Sequence, residues 1–268
     1  MSVIDELLIN GKITMTVNFK PHFLTAFMML PASTAFANGL EDLMQALSSL
    51  QGSKPITATL TSEVEVNRGD GDDKVIRTGN VDVVLHDGAN GLQVTYSNDV
   101  MANIDIEANE RVKDEDANTP TLNAVDRLDA TEMRSYLSAS SSLLRRVEQA
   151  TFLDEEVVDY QGKHYRMLSF ELPMKSIISD KKTREYVDRF ESQFQVIIDD
   201  QGIPLETRLD FNGKGRAYIV LSMKAFGNGL SQFTVVDNRL VTVRQEFTSG
   251  WDSTFGEGSF KEVINLTL

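Results

Sequence analysis

From Ile56 the chain alternates, with Ile56, Ala58, Leu60, Val64 and Val66 on one side and Thr57, Thr59, Thr61, Glu63 and Glu65 on the other. A period of two over this length predicts a half-buried strand. Just upstream, Leu40, Leu43, Met44, Leu47 and Leu50 recur at helical spacing, so a short amphipathic helix precedes the strand and packs its stripe on a core. Asn38 stands at the N-cap of that helix with Glu41 three positions on, as in a capping box, and Gly52 follows as a stop. Arg68-Gly69-Asp70-Gly71-Asp72-Asp73 reads as a loop. Further strands are predicted from about Lys74 to Leu85 and from Leu92 to Tyr96, separated by Asp87-Gly88 and Gly91. The first third is an antiparallel meander.

Between Asn98 and Pro120 the pattern fades, and Glu107, Glu110, Asp114, Glu115 and Asp116 gather with few apolar neighbours, which predicts an acidic loop. Thr121 to Gln149 returns to helical spacing through Leu122, Val125, Leu128, Met133, Leu137, Leu144 and Val147. One or two helices are expected there, with Asp129 and Glu132 capping the second and the serines of 138–142 weakening the middle. Beyond Ala150 strands resume on either side of a Gln161-Gly162 turn. A short charged helix is predicted over Ser179 to Phe190.

Six strands follow, near Phe194–Ile198, Leu205–Phe211, Gly215–Phe226, Gln232–Val236, Leu240–Phe247 and Ser259–Leu268. They are divided at Asp199-Asp200-Gln201-Gly202, Asn212-Gly213, Gly227-Asn228-Gly229, Asp237-Asn238 and Gly256-Glu257-Gly258. The absence of a repeated strand–helix–strand pattern argues against a parallel sheet, so the fold class is α+β with a large curved antiparallel sheet. Two strands suggest how that sheet is covered. Ala217, Ile219, Leu221 and Met223 share one face while Tyr218, Val220 and Phe226 share the other, as if both were covered. Leu205, Leu209 and Phe211 instead alternate with Glu206, Arg208 and Asp210, as if the outer face were wet. A half-barrel-like meander with its N-terminal and inserted helices on the inner side satisfies both.

Composition changes the compartment more than the fold. Lys20 and His22 precede the apolar run Phe23, Leu24, Ala26, Phe27, Met28, Met29 and Leu30, and the run ends at Ala35-Phe36-Ala37, the small-x-small pattern of a signal peptidase site. The run is too short to span a bilayer. The expected organisation is therefore a leader and signal peptide over 1–37, removed after Ala37, and a single domain over 38–268, periplasmic or secreted. The alternative is a buried N-terminal helix, which the acidic Asp5 and Glu6 of the leader favour; a start at Met15 would remove that objection. A net charge of -14 repels phosphate backbones and argues against nucleic acid as a partner. The absence of cysteine removes disulfides, thiolate metal sites and the lipid-bearing cysteine of bacterial lipoproteins.

An exported, cysteine-free chain with a short opening helix, a meander, inserted helices and more meander resembles the periplasmic half-barrel proteins. These include the lipoprotein carriers of the Lol system and the lipid- or lipoprotein-sensing domains of the RseB type. The likeness covers about Asn38 to Leu268 and rests on architecture, without a residue motif. It implies a hydrophobic ligand cavity rather than catalysis.

Catalytic signatures are lacking: there is no G-x-S-x-G, H-E-x-x-H, Walker loop or dinucleotide fingerprint. His86 and His164 read as strand-end residues, and a His-carboxylate hydrolase would need one of them beside a buried acid. Asp70, Asp72 and Asp73 offer oxygen ligands for calcium without the EF-hand glutamate, which fits a solvated hairpin loop better. Glu155 and Glu156 point to opposite faces of a strand and make a poor acid–base pair. Positive charge gathers at Lys181, Lys182, Arg184 and Arg189 and at Arg145 and Arg146, which fits solvated helix faces or an acidic partner.

Trp251, the one tryptophan, sits among glycines between two expected strands, where it either closes a cavity mouth or anchors the loop on the core. Together with Phe255 and Tyr218 it is the candidate ligand-binding set. No catalytic residue, metal ligand or cofactor is expected. The expected function is non-catalytic binding of a lipid, an acylated peptide or another apolar or amphiphilic molecule, or of a lipoprotein. A regulatory or structural contact with another envelope protein is the alternative, and an unrecognised hydrolase the second.

Overall fold

The alternation from Ile56 builds β1 (Ile56–Arg68), whose Ile56, Ala58, Leu60 and Val64 are buried while Thr57, Thr59, Glu63 and Glu65 are exposed. The computed structural model describes residues 38–69, 74–178, 181–217, 221–254 and 256–268, so the expected signal peptide and the Asp70, Asp72 and Asp73 loop lie outside the described residues. A hairpin joins β2 (Val75–Gly88) to β3 (Gly91–Tyr96), turning at Ala89 and Asn90 rather than at Asp87-Gly88. Seven strands complete the sheet: β4 (Thr151–Tyr160), β5 (Lys163–Glu171), β6 (Arg189–Ile198), β7 (Pro204–Ala217), β8 (Leu221–Val236), β9 (Arg239–Ser253) and β10 (Gly256–Thr267).

All ten form one antiparallel, open, curved sheet in the order β3-β2-β1-β10-β9-β8-β7-β6-β5-β4. Two meanders are thus joined where β1 pairs with β10, from Thr59 opposite Thr267 to Arg68 opposite Gly258. The link from β3 at one edge to β4 at the other must cross the sheet, and it does so as helices: α1 (Gly39–Ser49) comes before β1, and α2 (Asn98–Lys113), α3 (Pro120–Val125), α4 (Ala130–Leu137) and α5 (Ser140–Gln149) make the crossing. The fold class is α+β, as the pattern implied.

Burial divides into two clusters. One places Ala124, Met133, Tyr136 and Leu137 of the crossing over Leu60, Val83 and Ile264. The other places Leu43 and Leu47 of α1 and Leu143 and Val147 of α5 over Leu168, Phe170, Phe194 and Val196. Each fully buried aliphatic or aromatic side chain contributes about 1.5–3 kcal/mol of transfer free energy, so these clusters hold the helices to one face. That face is the inner one below.

Several expectations are corrected. The acidic stretch 98–120 is largely helix: the Ser97 hydroxyl accepts from the Val100 N–H at 3.2 Å and starts α2. Glu107, the buried residue of α2, accepts the N–H groups of Thr121 and Leu122 at 3.1 and 2.8 Å and thereby caps α3. Three helices, not one or two, occupy 121–149, although Asp129 caps α4 as expected by accepting from Thr131 and Glu132. Asn38 makes no side-chain cap; the free N–H of Gly39 donates instead to Glu155 at 3.0 Å. Of the expected charged helix, α6 (Lys181–Glu185) forms among the described residues, Ser179 and Asp180 lie outside them, and Arg189 and Phe190 are already in β6.

The strand count also falls, from six to five. Asn212-Gly213 and Gly227-Asn228-Gly229 are not turns but lie inside β7 and β8, and Gly256 to Gly258 belongs to β10. The segment read as one strand across Tyr218 is divided, because Ala217 ends β7 opposite Leu221, which opens β8. The outer face is not uniformly wet: Glu206 is buried, accepting from the Tyr160 hydroxyl at 2.9 Å, Arg208 Nε at 2.7 Å and Gln232 at 3.1 Å.

These mid-strand glycines have a common cause. Gly227 lies opposite Phe211, Gly229 opposite Phe247, Gly250 opposite Phe226 and Gly258 opposite Trp251. A Cβ at Gly227 or Gly250 would stand 2.6 Å from the facing phenyl ring, and one at Gly258 would stand 2.7 Å from the indole Nε1. Each ring therefore lies flat over the glycine across from it, which covers backbone that a strand glycine would otherwise expose.

Candidate functional site

The helices cover only part of the inner face. Beyond them two rows of side chains run across neighbouring strands on that face. Their pairings are Val66–Phe260–Ser249–Gly227–Phe211 and Arg68–Gly258–Trp251–Ala225–Gly213. Because successive residues in a strand point to opposite faces, residues two apart from the buried Val64 and Glu262 face inward here too.

These rows floor a trough of about 380 Å³. Ile177 and Ile178, which follow a short 3-10 turn at Met174–Ser176, form one wall, and Arg127, just past α3, forms the other. Trp251 is neither in a loop nor in the core. It sits in β9 with its ring on Gly258, and is 45% exposed. The flanking glycines thus serve the strand, because small residues opposite and beside the indole leave room for its ring. A larger but open depression of about 470 Å³ over β6, β7 and β8 shares Phe211 and Phe226 with the trough and carries Glu191 and Asp210.

At its Arg127 end the trough meets a second hollow of about 340 Å³, with which it shares Val66, Arg68 and Arg127. Four arginines, Arg68, Arg77, Arg111 and Arg127, and one carboxylate, Asp126, line it. Arg111 is held in place by Asp126 at 3.1 Å, Thr119 at 2.5 Å and Asn123 at 3.0 Å. Arg77 donates to the Glu115 carbonyl at 3.2 Å and to Asp116 at 3.4 Å, and the Arg127 guanidinium lies 5.0 Å above the Phe260 ring.

A polar cleft of about 180 Å³ lies beneath α4 and α5, lined by Glu132, Tyr136, Arg146, Thr207, Thr242 and Gln245 among others. Burial pushes the Tyr136 hydroxyl up, with further effect from the Glu262 and Glu132 carboxylates, and burial lowers Arg146. Glu262, two residues along β10 from Phe260, is pushed up to about 7 by burial first and by Glu132 second, with Arg127 opposing. Arg146 extends over the Phe194 ring at 5.8 Å rather than into solvent as a free helix charge.

The histidines are not brought together. His86 is in β2, sharing a 2.8 Å hydrogen bond with Thr57, and His164 is in β5, with six strands between them. Glu155 pairs with the start of α1 and stands 3.8 Å from Arg166. Of the basic helix, Lys181 lies 3.9 Å from Glu185, and Arg184 donates to the Ile178 carbonyl at 2.6 Å. Tyr218 and Phe255, the other two candidate ligand-binding residues, lie outside the described residues. Sequence reasoning missed Phe260, Ile177 and all four arginines. Phe260 carried a signal in its alternation along β10, whereas the arginines come from separated segments and carry none.

Among the described residues no group of three or more His, Asp or Glu is placed to hold a metal ion, and no helix is long and apolar enough to cross a membrane. No protein-family model, curated protein or solved structure matches this chain.

Proposed function

We propose that this is a non-catalytic envelope protein that binds an apolar or amphiphilic molecule, a lipid or an acylated peptide, against the inner face of its curved sheet. The observation that carries the reading is the trough floored by Trp251, Phe260 and Phe211. Large aromatics are left half-covered there on the face that elsewhere packs the helices. Its volume falls in the range of about 300–1,000 Å³ typical of small-molecule sites, and its lining mixes apolar walls with a few polar groups. Export through the 1–37 segment belongs to the same reading.

Saturable blue-shift of the emission of the single tryptophan on adding dodecanoate or lysophosphatidylcholine is the expected result. Trp251→Ala should weaken binding, followed by displacement of a fluorescent fatty acid. Because the ring is half-exposed, the substitution should cost on the order of 1 kcal/mol of stability, against about 3–5 for a fully buried tryptophan. An emission spectrum unmoved by any amphiphile would refute the reading. Sequencing the N-terminus of protein from the envelope fraction is expected to start at Asn38; an intact Met1 or Met15 on soluble cytoplasmic protein would overturn export.

A contact with another envelope protein is the second reading. It is favoured by α2, which leaves Met101, Ile106 and Val112 exposed and buries only Glu107. Crosslinking that recovers a defined partner and is lost on Met101→Ser/Val112→Ser would support it.

A further inference from the structure

The trough is not chemically uniform along its length. At the Trp251 end its floor is aromatic and its wall is Ile177 and Ile178, whereas at the other end it opens into the hollow lined by Arg68, Arg77, Arg111 and Arg127. That concentration of guanidinium groups runs against the chain as a whole, whose net charge is -14. In such a field an anion finds few favourable places, and an arginine-rich hollow is one of them.

The four arginines are not equivalent. Arg77 and Arg111 are already tied to Asp116 and Asp126 and to neighbouring acceptors, which fixes where they point. Arg68 and Arg127 line both cavities, and among the described residues neither makes a salt bridge to a carboxylate, although the Arg127 charge acts on Glu262. Arg127 is held by the face of Phe260, so its donors stay at the junction without being consumed there. A planar guanidinium fork offers paired donors that match carboxylate and phosphate oxygens, and two such groups whose donors are unfilled among the described residues, beside an apolar channel, suit a ligand with one charged end.

We infer that the ligand is a single-chain anionic amphiphile. Its hydrocarbon lies along the trough over Trp251 toward Phe211, and its carboxylate or phosphate head is held by Arg68 and Arg127 at the mouth of the arginine hollow. The inference rests on the proposed trough and adds polarity and head-group charge to it. It also orients the ligand: the head sits near β1 and α3, and the chain runs toward β8 and β7.

The test uses the whole chain and four probes with the same twelve-carbon tail, all below their micellar concentrations: dodecanoate, dodecyl phosphate, dodecyl maltoside and dodecyltrimethylammonium. Tryptophan emission is titrated for the wild type and for Arg68→Gln/Arg127→Gln. Both arginines are exposed, and an unchanged far-UV circular-dichroism spectrum with a single cooperative melting transition confirms that the variant is folded. The two anions are expected to bind at least about tenfold more tightly than the neutral and cationic probes, as befits one or two charge-assisted hydrogen bonds. Their affinity should fall with added salt, and the double variant should bring all four probes to the same affinity. If dodecanoate and dodecyl phosphate differ, the tighter one identifies the head as carboxylate or phosphate. Equal affinities of the wild type for all four probes overturn the head-group assignment while leaving the trough standing. An emission spectrum that none of them moves overturns the trough and the assignment together.

Discussion

Asp87→Ala is expected to destabilise the protein by about 3–5 kcal/mol, the cost of leaving the charge of a buried ion pair without its partner. Asp87, near the end of β2, accepts from Arg239 Nη1 at 2.6 Å, and both side chains are less than one-tenth exposed. Arg239 opens β9 immediately after the tight Asp237-Asn238 turn, where both residues have positive φ, and its other terminal nitrogen donates to the Lys54 carbonyl at 3.0 Å. The same corner receives the end of α1. Asn238 donates to the Ser49 carbonyl at 2.7 Å, and the Gly52 N–H donates to the Asn238 carbonyl at 2.8 Å, an approach that a Cβ at Gly52 would block at 2.4 Å from the Asp237 carbonyl. The pair therefore ties α1, the entry to β1, the end of β2 and the start of β9. Arg134, 4.0 Å from Asp87 and mostly exposed, is too distant to replace Arg239. Removing both charges in Asp87→Leu/Arg239→Met should recover most of the loss, because two apolar side chains of similar reach fill the site without desolvated charge. Urea midpoints at constant slope measure all of these. Single variants within 1 kcal/mol of wild type would mean that water screens the pair and that packing alone holds the corner.

What could be read in the sequence, and what could not, follows from the range of the interaction that shapes each element. β1 was legible because a one-sided core imposes a period of two on its own residues, and α4 because Asp129 caps it locally. α2 was not, since its partner is the start of α3, reached by one carboxylate, and a helix without an apolar stripe looks like a loop. Gly227 and Gly229 looked like turn residues for a similar reason: the rings that cover them, Phe211 and Phe247, are on other strands, and only strand register reveals the pairing. The trough shows the same limit. Trp251 stood out as a lone aromatic among glycines, but Arg68, Arg77, Arg111 and Arg127 meet only because β1 pairs with β2 while α2 and α3 fold back across them. Nothing in the spacing of those four residues announces it.

Stability should also depend on pH through Glu262, and in the direction opposite to that of an ion-paired carboxylate. The residue is 8% exposed, and its folded-state value of about 7 stands above the 4.5 of an unperturbed glutamate, with burial the main cause and Glu132 adding repulsion. A raised value means that the folded state holds the proton more tightly than the unfolded chain does. The resulting stabilisation is complete below about pH 4.5 and is lost as the pH rises through about 7, where the folded protein must also ionise a carboxyl under its helical cover. Each unit of displacement is worth about 1.4 kcal/mol, and after allowance for screening by nearby water a loss of about 2 kcal/mol between pH 4 and 8 is expected. Glu262→Gln keeps the shape and the hydrogen-bonding capacity but has no proton to lose, so it should match the wild type at pH 4 and exceed it by about that amount at pH 8. Groups that titrate elsewhere, such as Asp129 with its lowered value, are common to both proteins and cancel in the difference. Arg127 acts in the other direction: its guanidinium favours the ionised form, so Arg127→Gln should push Glu262 further up and deepen the loss at pH 8. Denaturant curves at half-unit steps for the three proteins decide it. Parallel profiles from pH 4 to 8 would show that water reaches Glu262 freely and that the cover provided by α4 is not tight there.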